Sequence, residues 1–190
     1  MAPKLHVIIC STRPGRIGPT IARWFNDYAT SLEKFDVDLI DIADFNLPIY
    51  DEPVHPVQQN YKHDHTKAWA KSVNAADAFV FVTPEYNYFP PPSLVNALNF
   101  VYREWNYKPC AFVSYGGVSG GLRAVQTAKL LVTTLKMMPM AEGVMIPMAA
   151  SKIDDSGVFQ SNELIDKSAG ALLNELHKWT VGLKAMRDAG

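Results

Sequence analysis

Short apolar runs alternate along this chain with longer segments in which apolar residues recur every three or four positions. The short runs, bounded by turn residues, are typical of buried strands, and the longer pattern is typical of amphipathic helices. We therefore predict strands at residues 5–10, 35–42, 78–82, 109–114 and 141–147, and helices at residues 18–32, 65–75, about 93–105, 121–135 and 162–186.

Strands that alternate with helices predict a parallel sheet with helices on both faces. Five such units match the flavodoxin-like α/β fold, a doubly wound five-stranded parallel sheet with strand order 2-1-3-4-5. Residues 1–190 are expected to form a single domain of this kind. Right-handed crossovers place the carboxyl ends of strands one, three and four side by side, where ligands of such sheets bind.

The loop after strand one is suited to an anion. Ser11, Thr12, Arg13 and Arg16 lie in it, just before a predicted helix N-terminus. Free backbone amides and the positive end of a helix dipole attract negative charge, and arginines add planar donors that match phosphate. The loop has neither the Walker A pattern nor the dinucleotide Gly-x-Gly-x-x-Gly pattern. A phosphate monoester site is favoured over an ordinary helix cap with solvated arginines.

The loop after strand three is rich in aromatic residues. Residues 83–88 read Thr-Pro-Glu-Tyr-Asn-Tyr and follow the fully apolar run 78–82. Proline ends the strand, and the tyrosine rings offer flat stacking faces beside an asparagine side chain. This composition indicates a flat aromatic ligand.

The loop after strand four contains four glycines within residues 114–121. Glycine allows the backbone to approach a ligand closely, and successive amides can hydrogen-bond a developing negative charge. Taken alone, the segment is equally consistent with a tight turn before a helix. Beside the other two loops it favours a ligand, and the three together fit a phosphorylated planar cofactor, of which FMN is the simplest.

These residues resemble the NAD(P)H-dependent FMN reductase family of flavodoxin-like flavin, quinone and azo reductases. The resemblance covers residues 5 to about 147 and is carried by residues 11–16, 84–87 with 94–98, and 114–117. Three departures from the family pattern are Cys10 before the first loop, Asn99 near a position that is often aspartate, and Tyr88 with Phe89 where a small residue is common. The last of these affects the shape of the substrate pocket.

The resemblance implies a set of cofactor-binding residues from all three loops. The first loop would bind the FMN phosphate, the second the ribityl chain and ring, and the third the pyrimidine side of the ring. The residues implied are Ser11, Arg13, Arg16, Ile17 and Gly18 in the first loop, Pro84, Glu85, Tyr86, Asn87 and Tyr88 in the second, and Tyr115, Gly116 and Gly117 in the third.

The resemblance also implies the chemistry, in which the flavin carries the electrons. NADPH or NADH would stack on the exposed face of the ring and deliver hydride, and a quinone, flavin or similar acceptor would follow in a two-electron ping-pong reaction. Backbone amides of Gly116 and Gly117 would stabilise the negative charge on the ring. No side chain is required as a general acid or base, so no catalytic residue is assigned.

Two other functions remain open for a flavin-binding chain of this kind. One is a flavodoxin-type electron carrier, which a stable one-electron flavin state would favour. The other is a redox-sensing protein whose flavin state controls an interaction. A nucleotide hydrolase is disfavoured, because no carboxylate cluster for a metal accompanies the phosphate loop.

Composition limits the partners and the compartment. The net charge of -1 gives no general attraction to nucleic acid or anionic membranes, and no apolar stretch is long enough to cross a bilayer. Two cysteines, expected to be buried and reduced, favour a cytoplasmic location. His55, His63 and His65 fit no standard zinc spacing, so no metal site is predicted. The apolar run at residues 98–105 suggests a homodimer or higher homo-oligomer, because one face of a sheet is not expected to bury it all.

Overall fold

The computed structural model describes residues 2–189, so Met1 and Gly190, the two ends of the predicted domain, lie outside the described residues. The five strands are β1 Lys4–Ile9, β2 Asp36–Asp41, β3 Ala78–Pro84, β4 Pro109–Tyr115 and β5 Met138–Ile146. They form one parallel sheet in the order β2-β1-β3-β4-β5, which confirms the predicted topology.

Helices cover both faces of the sheet, as the alternating pattern predicts. They are α1 Gly18–Ser31, α2 Asp64–Ala75, α3 Pro92–Phe100, α4 Leu122–Thr134 and α5 Glu163–Asp188. One core contains apolar residues of α1 and α5, and the other contains those of α2, α3 and α4. Along β1, Val7 and Ile9 face the first core and Ile8 faces the second, because side chains alternate along a strand.

The third helix is shorter than the periodicity predicts. It ends at Phe100 because Val101 adopts an extended backbone, and a separate 3-10 turn, Arg103–Trp105, follows. Trp105 folds back onto the sheet, with its ring centroid 4.9 Å from that of Phe79. Phe100, Val101 and Trp105 are all buried within one chain. The expectation that the sheet cannot bury this run is therefore wrong, and the homo-oligomer that rested on it stays a prediction.

Three loops lie together at the carboxyl ends of neighbouring strands. β1, β3 and β4 are neighbours, and Ile9 is aligned with Val82 while Pro84 is aligned with Tyr115. The loops that follow these strands therefore begin side by side, as the right-handed crossovers require. Among residues 2–189, every helix is too short or too polar to span a bilayer.

Candidate functional site

A cavity of about 430 Å³ lies at the carboxyl ends of β1, β3 and β4. Most of the predicted site residues line it, whereas Ser11, Gly18, Asn87 and Tyr88 do not. Residues after β5, absent from the sequence-based prediction, complete the wall. The lining comprises Arg13, Arg16, Ile17, Pro84, Glu85, Tyr86, Tyr115, Gly116, Gly117, Met148, Ala149, Ala150 and Ser151.

The loop after β1 presents unused backbone donors. Within residues 2–189, no acceptor is found for the amides of Thr12, Arg13, Gly15, Arg16 and Ile17. Arg13 is exposed, and its guanidinium lies 5.8 Å from the centre of the Tyr86 ring. Among the arginines that line the cavity, Arg13 has no acidic partner in the described part of the chain, whereas Arg16 has one. The arrangement fits an anionic group held by backbone amides and one free cation.

Arg16 is already engaged by other groups of the protein. Its guanidinium donates to both oxygens of Asp41, at 2.7 Å and 2.6 Å, and also to the Ser11 carbonyl. The hydrogen bonds to Asp41, at the end of β2, raise the pKa of Arg16 above its ordinary value. The structure therefore places Arg16 at the cavity wall with its charge balanced by a neighbouring carboxylate.

Ser11 and Gly18 support the site from below the cavity surface. The Tyr115 hydroxyl donates a hydrogen bond to Ser11 Oγ at 3.1 Å, and both residues are buried. A Cβ at Gly18 would overlap the Ser11 hydroxyl and lie 2.6 Å from the Tyr115 hydroxyl oxygen. Glycine is required at this position because the first turn of α1 packs against these two groups. Burial raises the pKa of the Tyr115 hydroxyl, so that it stays protonated as a donor.

Glu85 faces the protein rather than the cavity opening. Its carboxylate accepts from the amides of Arg123 and Ala124 at 3.0 Å and 3.3 Å, from Ser119 Oγ at 3.0 Å and from the Arg123 side chain at 3.1 Å. Burial raises the pKa of Glu85, but these hydrogen bonds outweigh that effect and hold the net pKa below its usual value. Glu85 thus caps the N-terminus of α4 and ties the loop after β3 to the loop after β4.

A tight hairpin projects Tyr88 away from the cavity. The amides and carbonyls of Tyr86 and Phe89 exchange hydrogen bonds of 2.9 Å and 3.0 Å, with Asn87 and Tyr88 at the turn. Both turn residues have left-handed φ values, 52° and 71°, which is common for asparagine and unusual for tyrosine. The Arg123 guanidinium lies 4.2 Å from the centre of the Tyr88 ring. Tyr86 contacts the cavity, and Tyr88 forms part of its exposed surroundings.

The glycine-rich loop after β4 offers fewer free amides than its sequence predicts. The Gly116 amide donates to the Ile146 carbonyl at 3.3 Å, so it is not available to a ligand as predicted. The parallel pairing of β4 with β5 continues into this residue and uses the donor. In the described chain the Gly117 amide donates to no protein group, and Gly117 is exposed at the cavity. Gly121 has a φ of 84° and lies against Ser114, which explains the glycine that precedes α4.

The loop after β5 is the part of the wall that sequence reasoning missed. The Met148 amide donates to the Gly117 carbonyl at 2.9 Å, and the Ala149 amide donates to the Gly116 carbonyl at 3.1 Å. These bonds hold residues 148–151 against the glycine-rich loop. One methionine and three small side chains give no chemical indication of a site. The loop nevertheless follows the carboxyl end of a strand next to β4, which is the position that identified the other loops.

The histidines form a pair outside this cavity. The rings of His63 and His65 are stacked with centroids 5.2 Å apart, and Asp51 lies 3.8 Å and 3.0 Å from their Nε2 atoms. His55 precedes the 3-10 turn Pro56–Gln58, and its Nδ1 accepts a hydrogen bond from the Val57 amide at 3.2 Å. Within residues 2–189, no three or more His, Cys, Asp or Glu side chains are grouped so that they could hold a metal ion.

Comparison with known proteins identifies relatives of the whole site region. A model of the NADPH-dependent FMN reductase family matches residues 3–151, which include all three loops and the wall after β5. An NAD(P)H-dependent FMN reductase of Schizosaccharomyces pombe is 45% identical over 123 residues, or 64% of this chain and 62% of that protein. A quinone reductase of Pseudomonas putida is 32% identical over 159 residues, or 80% of this chain and 81% of that protein.

A solved structure has the same fold. The flavoenzyme NAD(P)H:(acceptor) oxidoreductase FerB from Paracoccus denitrificans superposes with a TM-score of 0.75 over 95% of this chain and 98% of its own. The two sequences are 18% identical, so this likeness shows the fold alone.

Proposed function

The chain belongs to the NADPH-dependent FMN reductase family, and we propose that it is an NAD(P)H-dependent, FMN-containing oxidoreductase of small planar acceptors. The observation that carries the proposal is the single cavity where the loops after β1, β3 and β4 meet. It joins an anion-binding segment, an aromatic ring and a backbone wall in one space of about 430 Å³. Cavities of this size at the switch point of an open sheet are suited to a small cofactor.

The residues of the cavity fit a flavin mononucleotide. The free amides of Arg13, Arg16 and Ile17 at the cavity, and those of Thr12 and Gly15 in the same loop, match a phosphate dianion together with the Arg13 guanidinium. Tyr86 supplies an aromatic face, and the residues after β5 supply a wall that consists of Met148 and three small side chains. The chemistry supplied by FMN when bound is two-electron transfer between a nicotinamide and an acceptor.

The work of the protein in this reaction is to bind and to orient. The Gly117 amide is a free donor toward negative charge that develops on a bound ring. The Tyr115 hydroxyl and the Glu85 carboxylate are both occupied by other protein groups, so neither is free to transfer a proton. No side chain of this chain is proposed as a general acid or base.

We propose ping-pong kinetics, in which the nicotinamide donor and the acceptor use a shared opening of the cavity in turn. The test is a matrix of initial rates in which NADPH, or NADH, and a soluble benzoquinone are varied with FMN-loaded protein. Parallel double-reciprocal lines are expected. Intersecting lines would contradict the shared opening, and an absence of quinone-dependent NADPH oxidation would contradict the reductase function.

A further inference from the structure

The ion pair between Arg16 and Asp41 joins the loop after β1 to the neighbouring strand. The two Nη–Oδ distances of 2.7 Å and 2.6 Å describe a two-point contact, and both side chains are largely buried, with exposed fractions of 20% and 16%. Planar two-point pairs of this kind fix the orientation of a guanidinium more strongly than a single contact does.

Asp41 is itself held in place from two sides. It is the last residue of β2 and is paired in register with Ile9 of β1. Its Oδ1 also accepts from the Ala43 amide at 3.0 Å, at the start of a 3-10 turn. The carboxylate is therefore a fixed anchor on the sheet and not a flexible surface group.

Arg16 connects the fixed Asp41 carboxylate to the loop after β1. One of its nitrogens, Nη1, donates both to Asp41 and to the carbonyl of Ser11, where the loop begins. Residues 12–15 lie between these points, and their available amides have no partner in the described chain. A segment with so few internal hydrogen bonds depends on its end contacts for a defined conformation.

We infer that Asp41 is a positioning residue for phosphate binding, acting through Arg16 to hold the amides of residues 12–17 ready for an anion. This inference rests on the proposed function, since it requires that the loop binds the phosphate of FMN. Arg16 then organises the loop, and Arg13 supplies the free positive charge. A preformed loop loses less conformational freedom on binding, and affinity rises accordingly.

The test compares two ligands that differ only in the phosphate group. Dissociation constants for FMN and for riboflavin are measured by quenching of flavin fluorescence in the wild-type protein, Asp41→Asn, Asp41→Ala and the control Asp44→Asn. Asp44 is an exposed carboxylate three residues further on that makes no hydrogen bond with Arg16. We expect both Asp41 variants to bind FMN about tenfold or more weakly, with riboflavin binding unchanged. Asp44→Asn should match the wild type.

The other possible results separate the positioning role of Asp41 from the proposed phosphate site on which it rests. If Arg16 were a phosphate ligand restrained by Asp41, the variants would release it, and FMN affinity would rise or stay the same. Equal weakening of FMN and riboflavin would assign Asp41 to general stability and overturn its role toward phosphate. Wild-type protein that binds the two ligands equally, or neither, would overturn the proposed phosphate site itself.

Discussion

The hydroxyl of Tyr115 donates a hydrogen bond to the hydroxyl of Ser11 at 3.1 Å, which joins the end of β4 to the start of the loop after β1. The two residues are 104 positions apart in the chain, and both are buried, Tyr115 in the cavity lining and Ser11 outside it. Gly18 packs against both oxygens, so the first turn of α1 is fixed by the same contact. The end of β4, the start of the loop after β1 and the first turn of α1 therefore meet at these three buried residues.

Gly18→Ala is expected to destabilise the protein by about 1–3 kcal/mol, because the added methyl group would collide with Ser11 and Tyr115. Urea unfolding monitored by circular dichroism measures the effect. Gly182→Ala is a matched control, since a Cβ at Gly182 meets no atom within 4 Å and the position lies inside α5. The free energy of unfolding of this control should equal that of the wild type or exceed it by about 0.5–1 kcal/mol. Equal stability of the Gly18 variant and the wild type would refute the tight packing.

Arg13→Ala is expected to weaken FMN binding by about 10- to 100-fold, as for the loss of a charged hydrogen-bond donor. The free energy of unfolding should change little, because Arg13 is exposed. Arg23→Ala is the control, since Arg23 is an exposed arginine of α1 outside the lining of the cavity. Calorimetric titration with FMN distinguishes the two variants, and unchanged affinity in Arg13→Ala would remove this residue from the phosphate site.

Glu85→Gln is expected to cost about 1 kcal/mol of stability at neutral pH through weaker capping of α4. The folded-state pKa of Glu85 lies below its ordinary value, so its contribution is present above the unfolded pKa and is lost as the pH falls through the folded pKa. The free energy of unfolding measured from pH 7 down to pH 3 should therefore fall less steeply in Glu85→Gln than in the wild type. Identical slopes would show that the carboxylate charge is not used in this cap.

His6 is expected to make the protein sensitive to mild acid. Its side chain is buried, and burial lowers its pKa from 6.5 to about 4. Between these values the unfolded chain is protonated and the folded protein is not, so stability falls by about 3 kcal/mol as the pH decreases from 6.5 to 4. His6→Phe should remove this part of the pH dependence, as measured by urea unfolding at a series of pH values. A variant that retains the full slope would assign the acid sensitivity to other groups.

The sheet could be predicted because its central strands are mostly apolar runs. Residues 78–82 are apolar at every position and form the buried centre of β3, and in β1 the buried run from Leu5 to Ile9 is apolar at every position except His6. The end of α3 was misplaced because Val101 and Trp105 continue the apolar pattern after the backbone has left the helix. The spacing of apolar residues indicates which positions are buried, but not which backbone conformation buries them. Val101 and Trp105 are buried by an extended residue and a 3-10 turn, and not by a longer helix.

The candidate site could be located from the sequence, but the orientation of its charged side chains could not. Arg16 and Glu85 were both assigned to the cofactor, yet each is paired with groups 25 or more positions away in the chain. Such pairings depend on how separate loops meet in three dimensions, and residue type alone does not specify them. The wall at residues 148–151 was missed for a related reason, since it contributes shape and backbone and no distinctive side chain.

The most direct test of the proposed function is anaerobic addition of NADPH to the FMN-loaded protein, followed through the absorbance of the oxidised flavin. We expect rapid loss of that absorbance without accumulation of a one-electron state, and its recovery when a quinone is added. A bound flavin that stays oxidised in the presence of NADPH and of NADH would contradict the assignment of this cavity to a nicotinamide-dependent reductase.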